Sequence, residues 1–378
     1  MILILILLFI SCILVAEIFL RCSSHHNHLR FGLTDPDPSN AASLESLRKK
    51  EAYSGVEFLS EAFFSELKNV NRLYFNVDFN NFSGTFFNFE NKRRFTIGNP
   101  PNSRETWLVF GGSTIACVEV PDELTVPSIL QSLVNKDIPQ IKIVNEGQLS
   151  LKVNTIMKRE LIEKSIMSQD NVTKIIIYFG ANDAGWNRFT HPQNIFEHAI
   201  YLLARWSFIA SYLWHKFQAR KAKMYARRHA MKNIENLRKL KSVLSLRGIS
   251  SNFFLQPNVY TKVMLSGEEY EYVLNSNPIR VAAVAEAYCE YAASADVLVP
   301  LLSVFDDVGE SVYLDWCHLG VRGNQMVARA IFNSLFDVND KMFTVKPQLQ
   351  RMRTLEKEIL SLRGLYKNAD DSFVYPLY

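Results

Sequence analysis

Cysteine is scarce, five in 378 residues, and none stands in a C-x-x-C or Cys/His spacing suited to structural zinc. That excludes a disulfide-dense mini-domain and a zinc module. Glycine and proline are also few, 15 and 13, which excludes collagen-like and low-complexity scaffolds for the bulk of the chain. Charge of one sign is lacking too: 42 basic against 38 acidic residues give a net charge of +4, too mild for a dedicated nucleic-acid binder. What is present is 48% hydrophobic and 21% charged residues, in a length suited to one large domain with extensions.

Residues 1–20, MILILILLFISCILVAEIFL, have only Ser11 and Glu17 as clearly polar positions. Twenty helical residues span about 30 Å, the thickness of a bilayer's hydrocarbon core. No Lys or Arg precedes Arg21, and no small-x-small cleavage site is visible, so residues 1–22 are expected to be an uncleaved anchor. Arg21, Arg30, Lys49 and Lys50 after the span would hold the domain in the cytoplasm; the chemistry below points to the extracytoplasmic side, which is the expected one. A second local feature is residues 213–247, with eleven Lys or Arg and one acid, Glu235. Phe217, Met224, Met231, Ile234, Leu237, Leu240 and Leu244 keep helical spacing there, predicting a long amphipathic helix. Its basic side is either a solvated face or a contact for anionic lipid or polymer.

Residues 23–46 read as a polar stalk, and 50–106 as an aromatic segment of short strands or a wrap around a larger domain. From about residue 105, short apolar runs at 107–110, 141–144, 174–179, 252–255 and 296–302 alternate with helical stretches at 123–135, 150–168, 193–246, 278–294 and 321–337. Continuous apolar strands alternating with helices predict an α/β fold with a parallel sheet covered on both faces. Its chemistry then belongs at the carboxyl ends of the strands. A tail, 338–378, carries Leu349, Met352, Leu355, Ile359 and Leu362 at helical spacing and is expected to dock on the domain or on a partner.

The strand ends read Gly111-Gly112-Ser113-Thr114, Asn145-Glu146-Gly147 and Gly180-Ala181-Asn182-Asp183, with Asp315-Trp316-Cys317-His318 after the last strand. A serine hydroxyl becomes nucleophilic when an imidazole takes its proton, and an acid orients the imidazole. Ser113, His318 and Asp315 fit those roles. The negative charge of a tetrahedral intermediate needs donors, for which the amides of Ser113 and Gly147 and the carboxamide of Asn182 are candidates. Each piece alone has an ordinary reading as a turn or a cap; four in this order at strand ends point to acyl transfer.

These four blocks resemble the SGNH/GDSL hydrolase superfamily over roughly residues 105–335, and Leu255-Gln256-Pro257 resembles its membrane-associated members. Gly112 departs from the Asp of the GDSL name, with altered loop rigidity expected. The resemblance implies a three-layer α/β/α sandwich with a flavodoxin-like sheet in 105–337, ester hydrolysis or acyl transfer without metal or cofactor, the triad Ser113, Asp315 and His318, and an oxyanion hole of Ser113, Gly147 and Asn182. The expected activity is a membrane-tethered serine esterase acting on acyl esters of envelope or exported glycans. The alternatives are O-acyl transfer to a carbohydrate and a non-catalytic scaffold of the same fold. Cys117 and Cys317 fall near the triad, either as a bracing disulfide or as two buried thiols; Cys289 is expected in the core. Nucleic acid is not an expected partner.

Overall fold

The computed structural model describes residues 48–74, 81–184, 195–204, 208–336 and 345–362. The expected anchor, 1–22, and the stalk that follows it lie outside them. No helix among the described residues is long and apolar enough to cross a membrane.

Residues 48–104 form a turn at Glu51–Tyr53, helix α1 (Glu61–Tyr74) and an antiparallel ribbon of β1 (Phe82–Ser83), β2 (Asn88–Glu90) and β3 (Arg93–Arg94). The helix was not anticipated among the aromatics. Phe63, Leu67 and Val70 lie one helical turn apart and face inward. With Phe87 and Phe89 they enter the same apolar cluster as the central strands.

That centre is a five-stranded sheet of β4 (Glu105–Gly111), β5 (Ile141–Gly147), β6 (Val172–Phe179), β7 (Ser250–Leu255) and β8 (Val299–Pro300), in the order β5-β4-β6-β7-β8, all parallel. Trp107–Phe110 and Ile175–Phe179 are buried without alternation, as strands covered on both faces must be. The expected strand 296–302 is reduced to two residues at the edge of the sheet, where Pro300 is tolerated because Leu301 N, not residue 300, makes the next bond to Leu255 O at 3.0 Å.

Helices α2 (Ser113–Ala116), α3 (Val126–Asp137), α4 (Val153–Ile156), α5 (Arg159–Met167), α6 (Ile195–Ala204), α7 (Phe208–Leu246), α8 (Gly267–Leu274), α9 (Pro278–Ala292), α10 (Val321–Leu335) and α11 (Lys346–Leu362) complete the described chain. α3 packs on α10, and α7 packs on α9. The right-handed crossover rule puts α3 on the opposite face from α5 and α7, because the strand order reverses after β5. The reversal leaves a crevice at the carboxyl ends of β4 and β6, the switch point where ligands of such sheets bind.

Two helical expectations are corrected. The stretch 150–168 divides into α4 and α5. In α7, Ile234, Leu237, Leu240 and Leu244 are buried, but Phe217, Met224 and Met231 are 46%, 47% and 54% exposed. The inward face of that half is Ala219, Ala222, Ala226 and Ala230 instead. Alanine allows close approach to α9, itself rich in alanine at Ala282, Ala283, Ala285 and Ala287. α11 docks on α9 and α8 through Met352, Leu355 and Ile359.

Arg94 of β3 is buried beneath the turn that follows α2. Its guanidinium donates to Asp122 Oδ1 at 2.7 Å, Ala116 O at 2.9 Å, Val120 O at 2.5 Å and the Cys117 carbonyl. Asn88 supports the other Asp122 oxygen at 3.0 Å. Burial pushes the Asp122 carboxyl up, and the guanidinium opposes that. Breaking a buried pair from one side leaves a charge uncompensated. Arg94→Met is therefore expected to cost about 3–5 kcal/mol of unfolding free energy in urea titration.

Candidate active site

β4 ends at Gly111, and the chain turns at once into α2 with Gly112 as N-cap and Ser113 as the first helical residue. The Ser113 amide thus belongs to the first turn, where helical amides lack intrahelical acceptors. Gly112 has an ordinary φ of −78°, so its reason is space. A Cβ there would lie 2.5 Å from Asn182 Nδ2. Gly112 thus leaves room for the Asn182 amide beside the Ser113 turn.

The residues of the opposite loop make a tight hairpin, with Tyr313 bridging Leu319 and Leu314 N donating to His318 O at 2.8 Å. Asp315 Oδ1 accepts from the amides of Cys317 and His318, both at 2.8 Å. Its second oxygen lies 2.6 Å from His318 Nδ1, and His318 Nε2 lies 2.7 Å from Ser113 Oγ. The three residues therefore form one hydrogen-bonded chain, although Ser113 and His318 are 205 positions apart. The N-cap of α10 is Gly320, so Asp315 is free of the ordinary capping role for that helix.

Supports converge on this hairpin from other elements. Glu269 of α8 accepts from Val312 N at 2.8 Å and Tyr313 N at 3.2 Å, and is paired with buried Lys262, which holds Glu310 O at 2.6 Å. Lys50 donates to Leu314 O at 2.6 Å. Trp316 stacks on Tyr260, with ring centroids 5.9 Å apart.

Burial alone would discharge both members of the Asp315–His318 pair. Their mutual attraction and hydrogen bond win. Against burial, Asp315 is held well below the ordinary carboxylate range by His318, and His318 is held well above its ordinary value by Asp315, Cys317 and Glu119. Glu119 escaped the sequence reading. Its Oε1 is 3.7 Å from His318 Nε2, and burial raises its carboxyl above the usual value.

Gly147 stands differently from the expectation. Its amide donates to Asn145 Oδ1 at 2.9 Å, and a Cβ on it would lie 2.4 Å from Ala116 N. The glycine is required by the backbone of α2 rather than by an approaching substrate. Asn145 completes this clasp by donating to Ile115 O at 3.1 Å. The next loop residues reach the centre instead: Leu151 O accepts from Asn182 Nδ2 at 3.3 Å. Ser150, just before it, is exposed in left-handed backbone at φ 59°. Asp183, next to Asn182, ties the turn to α4 by accepting from Val153 N at 2.9 Å.

Cys117 and Cys317 are free, buried thiols rather than a disulfide; Cys117 donates to Thr114 O at 2.9 Å. Cys289 is only partly buried. Asp315, Cys317 and His318 offer three ligand atoms within 4.8 Å of one another. They fit a cation poorly. Nδ1 is engaged by Asp315, and burial pushes the Cys317 thiol up to about 11, away from the thiolate that binds metals. A cavity of about 1040 Å³ lined by Arg93, Asn99, Thr106, Lys142 and Gln169 contains none of the triad.

No family model matches the chain, and no curated protein matches it. Solved structures similar to it include a member of the lipolytic G-D-S-L family from Veillonella parvula, 13% identical, covering 61% of this chain and 98% of that one at a TM-score of 0.37. Others are a carbohydrate acetylesterase from Sinorhizobium meliloti (12% identical, 62% and 100% covered, TM-score 0.38) and an acetyl xylan esterase (14%, 61% and 99%, 0.39). Likenesses this distant carry no argument; the geometry must.

Two titrations follow. A histidine whose folded pKa is raised adds stability that is full below the unfolded value and lost as pH rises through the folded one. NMR of the His318 ring is expected to show deprotonation above the ordinary value of about 6.5, moving down in Asp315→Asn. Burial also pushes Asp183 up to about 7, so the fold binds its proton more tightly than the unfolded chain and loses stability as pH rises from about 4 to 7. Asp183→Asn is expected to flatten that part of the melting-temperature profile and to gain on the parent protein above pH 7.

Proposed function

We propose that this protein is a serine ester hydrolase of the SGNH/GDSL type that works through an acyl-Ser113 intermediate. The observation that carries the reading is the unbroken chain from Asp315 Oδ2 through the His318 ring to Ser113 Oγ, with links of 2.6 and 2.7 Å. In the neutral form of His318, Nε2 takes the Oγ proton as Oγ bonds the ester carbonyl carbon. The imidazolium that results is stabilised by Asp315. Nε2–H then protonates the departing alkoxide as the ester C–O bond breaks. Water gives a proton to Nε2 and attacks the acyl carbon; the C–Oγ bond breaks, and Oγ recovers its proton.

The negative charge on the carbonyl oxygen meets the first-turn amide of Ser113 and the second N–H of Asn182 Nδ2, whose first N–H holds Leu151 O. The Gly147 amide, expected as a further donor, is spent on Asn145 Oδ1 at 2.9 Å. The hydroxyl–imidazole pair is partly exposed and so reachable by a substrate, with His318 22% exposed.

The apolar segment 1–22 supports a tethered enzyme; the extracytoplasmic side is chosen for the chemistry, acylated glycans being accessible substrates there, against the basic residues that follow the span. A fluorophosphonate probe is expected to label the protein, with labelling lost in Ser113→Ala. The same variant is expected to lower chromogenic acetate hydrolysis by about 10⁴-fold or more. Well-folded protein that resists labelling would instead favour a non-catalytic scaffold.

A further inference from the structure

Glu119 is outside the triad, yet several buried contacts hold the backbone of the turn that carries it. It sits in the turn from Cys117 to Asp122, entered through Cys117 in left-handed backbone at φ 47°. Arg94 holds the carbonyls of Ala116, Cys117 and Val120, on both sides of Glu119. Tyr53 OH donates to the carbonyl of Glu119 itself at 2.6 Å, and Asp122 N donates to Phe86 O at 2.9 Å. The segment before the central sheet thus clamps this turn from outside. The side chain is left 23% exposed, with Oε1 3.7 Å from the same His318 nitrogen that meets Ser113 Oγ.

A separation of 3.7 Å is too long for a direct hydrogen bond and suits one small hydroxylic molecule touching both atoms. After acylation, Oγ is an ester oxygen and His318 Nε2 must accept a proton from the second nucleophile. Nε2 and a carboxylate oxygen then form two adjacent acceptors. Water has two O–H groups to satisfy them; a simple alcohol has one and leaves the carboxylate facing its oxygen. Resting on the esterase reading above, we propose that Glu119 and His318 Nε2 together hold the water that attacks acyl-Ser113, which commits the site to hydrolysis over transfer to simple alcohols. One water proton passes to Nε2 as the water oxygen bonds the acyl carbon; the other O–H stays on Glu119. Collapse then breaks the C–Oγ bond, and Nε2 returns its proton to Oγ, leaving the free acid.

The test compares wild type with Glu119→Gln and Glu119→Leu, using a chromogenic acetate ester at a pH on the alkaline plateau of each variant's activity. Acylation is read from the pre-steady-state burst, and deacylation from decay of the acetyl-enzyme in quenched samples analysed by intact mass. Deacylation is expected to fall at least about tenfold more than acylation in both variants, with acetyl-Ser113 accumulating in the steady state. Added methanol should partition the acetyl group to methyl acetate more in Glu119→Leu than in wild type. Equal loss in both half-reactions, or unchanged decay of the adduct, would overturn the role of Glu119. Fluorophosphonate labelling of the folded variants keeps this outcome separate from failure of the esterase reading, which would show as unlabelled wild-type protein.

Discussion

Asp315 uses its two oxygens for different work. One accepts the amides of Cys317 and His318 and so makes the hairpin; the other holds the imidazole of His318. The turn that supplies the histidine and the charge that orients it are therefore the same interaction. In a partly desolvated crevice neither member would keep its charge alone. Everything downstream, including the approach of Nε2 to Ser113, depends on this carboxylate being ionised and doubly anchored.

Around it, the fold works by close approach of backbones. α2 lies against β5 at Gly147 and against the Asn182 amide at Gly112, where in each case a methyl group would not fit. The parallel order β5-β4-β6-β7-β8 brings the ends of β4 and β6 side by side. The hairpin after β8 is carried to the same place by Glu269, Lys262 and Lys50. The segment before the sheet is part of this apparatus: Lys50 braces the histidine hairpin, while Tyr53 and Arg94 brace the turn beyond the nucleophile. An aromatic stretch that reads as a wrap in the sequence is mechanically joined to the loops that carry Ser113 and His318.

The alternation of apolar strands and helices was legible because strands buried on both faces appear as continuous runs, and strand ends carry their chemistry in short contiguous motifs. Contacts made across distant parts of the chain were not legible. Arg94 sits in an Asn-Lys-Arg-Arg stretch that looks solvated, and nothing local announces that one of its arginines is buried against Asp122. Glu119 is one of two acids in the turn from Cys117 to Asp122, and its proximity to His318 exists only after folding. Gly147 was read as an oxyanion donor from its place in the motif, which does not show that its amide is taken by Asn145. In α7 the periodicity was right, but the phase of its first half was wrong, since alanines can line an interface as well as larger apolar residues.

The central claim is that Ser113 Oγ attacks a carbonyl carbon whose oxygen lies against Asn182. A crystal structure of the protein after reaction with a fluorophosphonate tests it most directly. The account predicts phosphorus bonded to Ser113 Oγ, a phosphoryl oxygen within hydrogen-bond distance of Asn182 Nδ2 and the Ser113 amide, and His318 Nε2 facing the adduct. An adduct on another residue, or a phosphoryl oxygen turned away from Asn182 into solvent, would contradict it.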